Sequence, residues 1–425
     1  MSAASPGTPP PTESLSSPVR RRTGTIGVGI AIAIAVLLLL VGIGAGYSAG
    51  NSLSKTRTSS STTLQLTETG SSLLYPLMVS WGPNYTAYNS QVVLAPESTG
   101  SGTGQSYAES GLVNIGASDA FLSNASVTNL INFPVAISAQ LIYYNLPGIT
   151  AHLNLNGTVI AMIYGGAITT WDNPLILAAQ APGVQTQLKA LASETIVPLK
   201  RSDSSGDTFL FSSLCYLSWT GWPYKFSTGA LSGSPWTGET GNSGMVKGLQ
   251  TTVDSIGYVG ISYENGATGI TYAAVGDNST LANGTYAAAA ANYILPSAAN
   301  ISEDANLGLT HLQFSHYQLA VSLILGGSPA GAVNRTAGAG GTAPGSECPY
   351  PIVNLEYALI KTSPTGTTVT ATALQATVLF LQWAISHGNY APSGAASSYI
   401  DLVNFIPLTP EVIGYDQQEL ASIQG

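Results

Sequence analysis

Within nine residues, Lys200-Arg201-Ser202-Asp203-Ser204-Ser205-Gly206-Asp207-Thr208 gathers two cations, two carboxylates and a cluster of hydroxyls. The apolar run Thr195 to Leu199 before it reads as a strand, and Thr208 to Leu217 after it reads as a helix. A strand, a Ser/Gly turn and a helix leave several backbone N–H groups free at the helix start. Those donors and the helix dipole both favour an anion. Arg201 stands at the strand end, where its planar fork suits bidentate contact with an oxyanion. Beyond residue 63 the only other arginine is Arg335. On this stretch alone a second reading stays open, an N-capped helix beside a surface arginine.

The same unit recurs earlier in the chain. Leu64-Gln65-Leu66-Thr67 reads as a strand, and Gly70-Ser71-Ser72 leads into a helix that continues past Trp81. Val92 to Ala95 reads as the next strand, and Gly100-Ser101-Gly102-Thr103-Gly104 opens another helix. A short strand from Val113 then ends on an acid, Asp119. Three turns and a carboxylate at strand ends define an α/β chain with a ligand site beyond the carboxyl ends of its strands. Further along, Phe133 to Leu146 reads as a strand and Asn145-Leu146-Pro147-Gly148 as a crossover into a second domain. Thr158 to Tyr164 and Met245 to Val253 read as helices, Ile256 to Ile261 as a strand, and residues 326–349 as loop. Tyr350 to Ile360 reads as a return strand, Leu374 to Ser386 carries helical apolar spacing, and a last helix starts after Pro410.

Length and composition set the surroundings. The 425 residues suffice for two domains, and only 8% of them are charged. From residue 64 onward there are seven Lys/Arg against 20 acids, so nucleic acid is a poor partner. Residues 1–24 read as a disordered cytoplasmic tail. Thr25 to Gly46 form 22 uncharged residues behind Arg20-Arg21-Arg22, which predicts a single transmembrane anchor with the remainder outside the cell. Cleavage as a signal peptide is the rival reading. Residues 47–63 read as a Ser/Thr-rich stalk. An extracellular setting also fits the Asn-x-Ser/Thr sequons at Asn84, Asn124, Asn156, Asn278, Asn283, Asn300 and Asn334. Cys215 and Cys348, the only cysteines, are expected to pair as a disulfide there.

The ordered motifs resemble the phosphate-binding protein of phosphate ABC importers, the PstS family, over most of residues 64–425. Thr69-Gly70-Ser71-Ser72-Leu73-Leu74-Tyr75-Pro76 is similar to its G-x-x-x-F-P-x-P segment, and Ile115-Gly116-Ala117-Ser118-Asp119-Ala120 to its F-G-A-S-D-A-P. Asn145 to Gly148 and Ile163-Tyr164 to Trp171-Asp172 follow in the family's order, then Arg201-Ser202-Asp203-Ser204-Ser205-Gly206, which matches R-x-D-x-S-G. Ser255-Ile256-Gly257-Tyr258-Val259 and Tyr350-Pro351-Ile352 complete the set. The resemblance implies two hinged lobes of the type II periplasmic-binding-protein kind, residues 64–146 with 350–425 and residues 147–349, closing on one phosphate. It implies that Ser72 and Ser101 donate hydroxyls and Leu73 an N–H. Asp119 accepts the ligand's proton, Arg201 neutralises its charge, and Ser205 and Gly206 donate from the second lobe with Asp203 orienting Arg201. A permease and an ATPase would be the partners, with no cofactor and no metal.

Asp207 departs from the family, which often has Thr there. It is a second proton acceptor for a doubly protonated ligand, or it points away and caps the helix. A carboxylate such as Asp119 repels an oxyanion that lacks a proton, so sulfate is expected to be excluded. The rivals are a surface binder or sensor for another oxyanion and, more remotely, a secreted phosphatase. Against an enzyme, His152, His311, His316 and His387 show no metal-ligand spacing, and no G-x-S-x-G elbow occurs.

Overall fold

The longest strand of the computed structural model, β4 (Leu130–Asn145), is buried along its whole length except the last residue. Sixteen mostly apolar residues covered on both faces make a central strand rather than an edge. Its first part pairs antiparallel with β12 (Val353–Lys361), from Lys361 opposite Leu130 to Val353 opposite Ala139. Its second part pairs antiparallel with β8 (Ser255–Gly260), from Gln140 opposite Gly260 to Asn145 opposite Ser255. One strand thus belongs to both lobes of the molecule. The structure describes residues 63–122, 129–192, 194–276, 293–309, 350–389 and 397–423.

On one side of β4 and β12 lie β3 (Ile115–Ser118), β1 (Leu64–Gly70) and β2 (Val92–Ser98), with β1 parallel to both neighbours. On the other side lie β8, β6 (Val197–Arg201) and β7 (Thr237–Glu239), β6 being parallel to both. The sheet order is therefore β2-β1-β3-β12-β4-β8-β6-β7, with the short β9 (Thr271–Tyr272) against β4. A separate small sheet joins β5 (Asn154–Asn156), β10 (Ala274–Gly276) and β11 (Tyr293–Ile294).

The helices follow from capping and apolar spacing. Helix α1 (Tyr75–Tyr88) carries Pro76 in its first turn, where a missing N–H costs nothing. Its Trp81 and Tyr85 pack edge-on against Phe380 of α9 (Ala371–Ser386), and Thr370 caps α9 by accepting from the Ala373 N–H. Between them in sequence come α2 (Ser101–Glu109), α3 (Gly157–Tyr164), α4 (Pro174–Leu177), α5 (Pro182–Lys189), α6 (Gly206–Ser218), α7 (Gly241–Thr251) and α8 (Ala298–Leu309). The last helix, α10 (Pro410–Ser422), starts at the proline the sequence marks.

Three sequence expectations need correction or placing. Of the expected Cys215–Cys348 pair, Cys215 is fully buried in α6 near Tyr164, and Cys348 lies outside the described residues. The sequon at Asn156 is 1% exposed, because its side chain caps α3 by accepting from the Val159 N–H, and a glycan has no access to it. The expected anchor at 25–46, the tail, most of the stalk and the 326–349 loop lie outside the described residues, as do Asn124, Asn278, Asn283 and Asn334. Among the described residues no helix is long and apolar enough to cross a membrane.

Candidate anion-binding site

The carboxyl ends of β1, β3 and β6 meet where the two lobes touch. Gly70 ends β1 at a φ of 141°, and a Cβ there would lie 2.0 Å from the Ala117 carbonyl oxygen. Only glycine permits that approach of β1 to β3. The chain then turns through Ser71, whose N–H donates to the Ala117 carbonyl at 2.9 Å. The Ser71 hydroxyl in turn accepts the Leu74 N–H at 2.9 Å and donates to the Asp119 carboxylate.

Arg201, at the end of β6, is 3% exposed and held from three sides. Its backbone N–H donates to the Tyr258 hydroxyl at 3.0 Å. Its Nε and Nη2 both donate to Asp203, the first at 2.8 Å, and Nη1 donates to Asp207 Oδ2 at 2.6 Å. Burial pulls the guanidinium pKa down, but the Asp203 hydrogen bonds and the charges of Asp207 and Asp203 more than reverse this and keep it protonated. Three of its five N–H donors are engaged, so two stay available to an anion.

Asp207 points into the site and does not cap the helix. It sits in the first turn of α6, but the cap is Ser205, which accepts the Thr208 N–H. Its carboxylate is fully buried and takes Arg201 and the Asn242 amide on Oδ2 at 2.6 and 2.7 Å, with Gln140 on Oδ1 at 3.3 Å. Burial raises its pKa, opposed by the Arg201 charge and these donors. Asp203 behaves differently: burial would raise it, but Arg201 outweighs burial and holds it below the usual carboxylate range.

The other sequence-marked residues converge on the same point. The Asp119 N–H donates to Ser101 Oγ at 3.3 Å. A Cβ on Gly206 would lie 2.5 Å from Asp119 Oδ2 and 2.6 Å from Ser101 Oγ, so the N-termini of α2 and α6 face each other across Asp119. The lobes touch directly there, with the Gly102 N–H donating to the Ser204 carbonyl at 2.9 Å. The Ser72 hydroxyl accepts from both the backbone and the amide of Asn242, at 3.1 and 3.0 Å. Leu73 is fully buried and packs on Gly260. Asp119 is pushed up to about 7, first by burial and then by Asp207, against hydrogen bonds from Ser71 and Glu356 and the charge of Arg201.

Five participants escape the sequence reading: Ser71, Gln140, Asn242, Tyr258 and Glu356. Gln140 and Glu356 are lone polar residues inside apolar strand runs, which is the signal that could have found them. Asn242 follows the Gly241 turn at the start of α7, another strand–turn–helix unit. The site carries one buried cation, facing Asp203, Asp207 and Asp119. Of the four histidines, the described ones lie elsewhere: His152 against the Tyr272 carbonyl and His387 beside Ser386. Among the described residues no cluster of His, Cys, Asp and Glu could hold a metal ion.

Two lobes, opposed helix N-termini and a buried arginine between them define the molecule, and the PBP superfamily domain matches residues 55–386. The chain belongs to that superfamily. It is 32% identical over 207 residues to the phosphate-binding protein PstS of Xylella fastidiosa, a match that covers 47% of this chain and 54% of that one. The PstS of Methanocaldococcus jannaschii is 28% identical over 218 residues, covering 48% and 54%. The chain thus spans little more than half the length of these curated relatives. By structure it resembles the periplasmic phosphate-binding protein PfluDING bound with phosphate (18% identity, TM-score 0.55). It also resembles the ancestral soluble variant of the human phosphate-binding protein (17% identity, TM-score 0.56). Each alignment covers 84% of this chain and 93% of the other, and at these identities the likeness is one of fold.

Proposed function

We propose that this chain binds inorganic phosphate between its lobes and delivers it to an ABC importer. The observation that carries this reading is the buried Arg201, with two N–H donors to spare, between the facing N-termini of α2 and α6. Ser72 and Ser101 supply hydroxyls, Leu73, Ser205 and Gly206 supply donors, and Asp119 accepts the ligand's proton. Asp203 fixes the guanidinium plane. Residues 64–146 with 350–425 form one lobe and 147–349 the other, with β4 and β12 as the connecting ribbon. The run 25–46 anchors the protein with its lobes outside the cell, where half-buried sequons such as Asn84 can carry glycans. The protein is a carrier and not an enzyme.

With Asp203 and Asp207 already offsetting Arg201, a fully deprotonated anion meets net negative charge, so the site selects a protonated ligand. Isothermal titration of the full-length chain with phosphate and with sulfate tests this. One-to-one phosphate binding without sulfate binding is expected. Equal affinity for both, or binding of neither, overturns it.

A further inference from the structure

Each lobe carries an acid of the site followed two residues later by a phenylalanine: Asp119-Ala120-Phe121 just past β3, and Asp207-Thr208-Phe209 at the start of α6. The two rings meet across the lobes, with centroids 5.5 Å apart and planes at 82°. In this T-shaped arrangement the positive edge of one ring lies against the negative face of the other. The phosphate-binding roles assigned above use neither ring.

Each ring is fixed from its own lobe. The chain around Phe121 is pinned at both ends. The Ala120 carbonyl accepts from Gln105 Nε2 of α2 at 2.7 Å. On the other side Asn132 of β4 clamps Leu122, accepting its N–H and donating to its carbonyl, each at 2.9 Å. Phe209 is 9% exposed and backed by Phe226, also edge-on, at 6.0 Å. Phe226 in turn stands 5.1 Å from Tyr216, which lies two turns beyond Phe209 on the same face of α6. Phe226 and Tyr216 are 46% and 52% exposed, so the row of rings leads from the buried acids to the surface. Phe121 joins that row from the opposite lobe.

This contact differs in kind from the hydrogen bonds that also cross the lobes. When the lobes part, water replaces the partners of Gly102, Ser204, Ser72 and Asn242, so those bonds oppose opening only weakly. Water cannot replace a ring. Parting Phe121 from Phe209 exposes apolar surface on both, and opening bears that cost in full.

Resting on the phosphate reading, we propose that Phe121 and Phe209 are positioning residues that form an aromatic latch, holding the lobes shut over the ligand and setting how slowly it leaves. Because the contact is lost on opening, its removal acts on koff.

Stopped-flow release of phosphate from the full-length chain tests the latch, for wild type, Phe121→Ala, Phe209→Leu and the double variant. Each single change is expected to raise koff about 3- to 10-fold. The double variant should stay within about twofold of the faster single one, since either change alone already breaks the pair. Phe121→Tyr keeps the ring and should retain slow release. An unchanged koff in Phe121→Ala, a double variant whose effect is the product of the two singles, or fast release in Phe121→Tyr overturns the proposal. Fluorine NMR of 4-fluorophenylalanine placed at position 121 reads the contact without ligand: Phe209→Leu must shift that resonance, and an unmoved resonance refutes the ring pair. If wild type binds no phosphate, the phosphate reading falls, and the pair is judged on that resonance.

Discussion

A close approach of the two lobes gives the sharpest prediction, the effect of Gly206→Ala. An alanine Cβ at this position would lie 2.5 Å from Asp119 Oδ2, 2.6 Å from Asp119 Cβ and 2.6 Å from Ser101 Oγ. Ordinary carbon contacts start near 3.5 Å, so the lobes must part by about 1 Å at this point. Such a shift stretches the Gly102–Ser204 bond at 2.9 Å and the Ser72–Asn242 bonds at 3.0 and 3.1 Å beyond useful length. Overpacking costs about 1–3 kcal/mol, and each lost neutral hydrogen bond about 0.5–1.5 kcal/mol. Parting relieves the clash, so the three lost bonds set the cost: closure is disfavoured by about 2–4 kcal/mol, and phosphate affinity is expected to drop roughly 30- to 700-fold by calorimetry. The fold itself should survive, since alanine is the better helix residue by up to about 1 kcal/mol. A urea midpoint near wild type together with the lost affinity is the predicted signature. An unchanged Kd would refute the claim that the ligand is held with these helix starts in contact.

The remaining predictions concern charge. Asp119 is raised by burial from an ordinary 3.8 to about 7, and burial also raises Glu68, Asp207, Glu356 and Asp416. A carboxyl raised in the folded state adds stability that is complete below its unfolded pKa and is lost as pH rises through its folded pKa. Stability in urea should therefore increase from pH 8 to pH 4, with Asp119 alone contributing about 4 kcal/mol. Asp119→Asn should flatten that slope, and a wild-type midpoint that falls over this range contradicts the burial argument. Asp207→Asn removes one of the two carboxylates offsetting Arg201. Phosphate binding at pH 8 should tighten at least about tenfold in calorimetry, whereas weaker binding would show that the Asp207 charge serves the ligand. Asn242→Ala strips a donor from Asp207 and the acceptor of the Gly260 N–H, which bonds Asn242 Oδ1 at 2.8 Å. A loss of about 1–3 kcal/mol in urea unfolding is expected, and a neutral effect would mean another group replaces it.

The recurrent strand–turn–helix units were legible because glycine and serine clusters punctuate apolar runs, and the Arg201 stretch announces its chemistry within a few residues. The expected helix at Met245 in fact begins at Gly241. Gly241 and Gly244 are poor helix formers, and that local preference is overridden by Asn242, whose bonds to Ser72, Asp207 and Gly260 fix the first turn. Asp207 was ambiguous because its partners Gln140 and Asn242 stand 67 and 35 residues away. Glu356 was invisible for the same reason. A single acid in an apolar strand names no neighbour, and the partner of this one, Ser138, is brought beside it only by the folded sheet.

The sheet order also governs how the molecule must assemble in time. Strand β12 sits between β3 and β4, yet it follows them by more than 200 residues. The strands β1, β2 and β3 can pair with one another early, but they cannot join β4 until β12 is available to fill the gap. Before then one edge of β4 stands open, an invitation to mispairing between nascent chains. A pairing of such sequence separation makes the closing of the sheet a slow, late event. The strand pair shared by the two lobes is thus also the last seam to be sewn, and the Asn354 amide reaches the Asp119 carbonyl only when it closes.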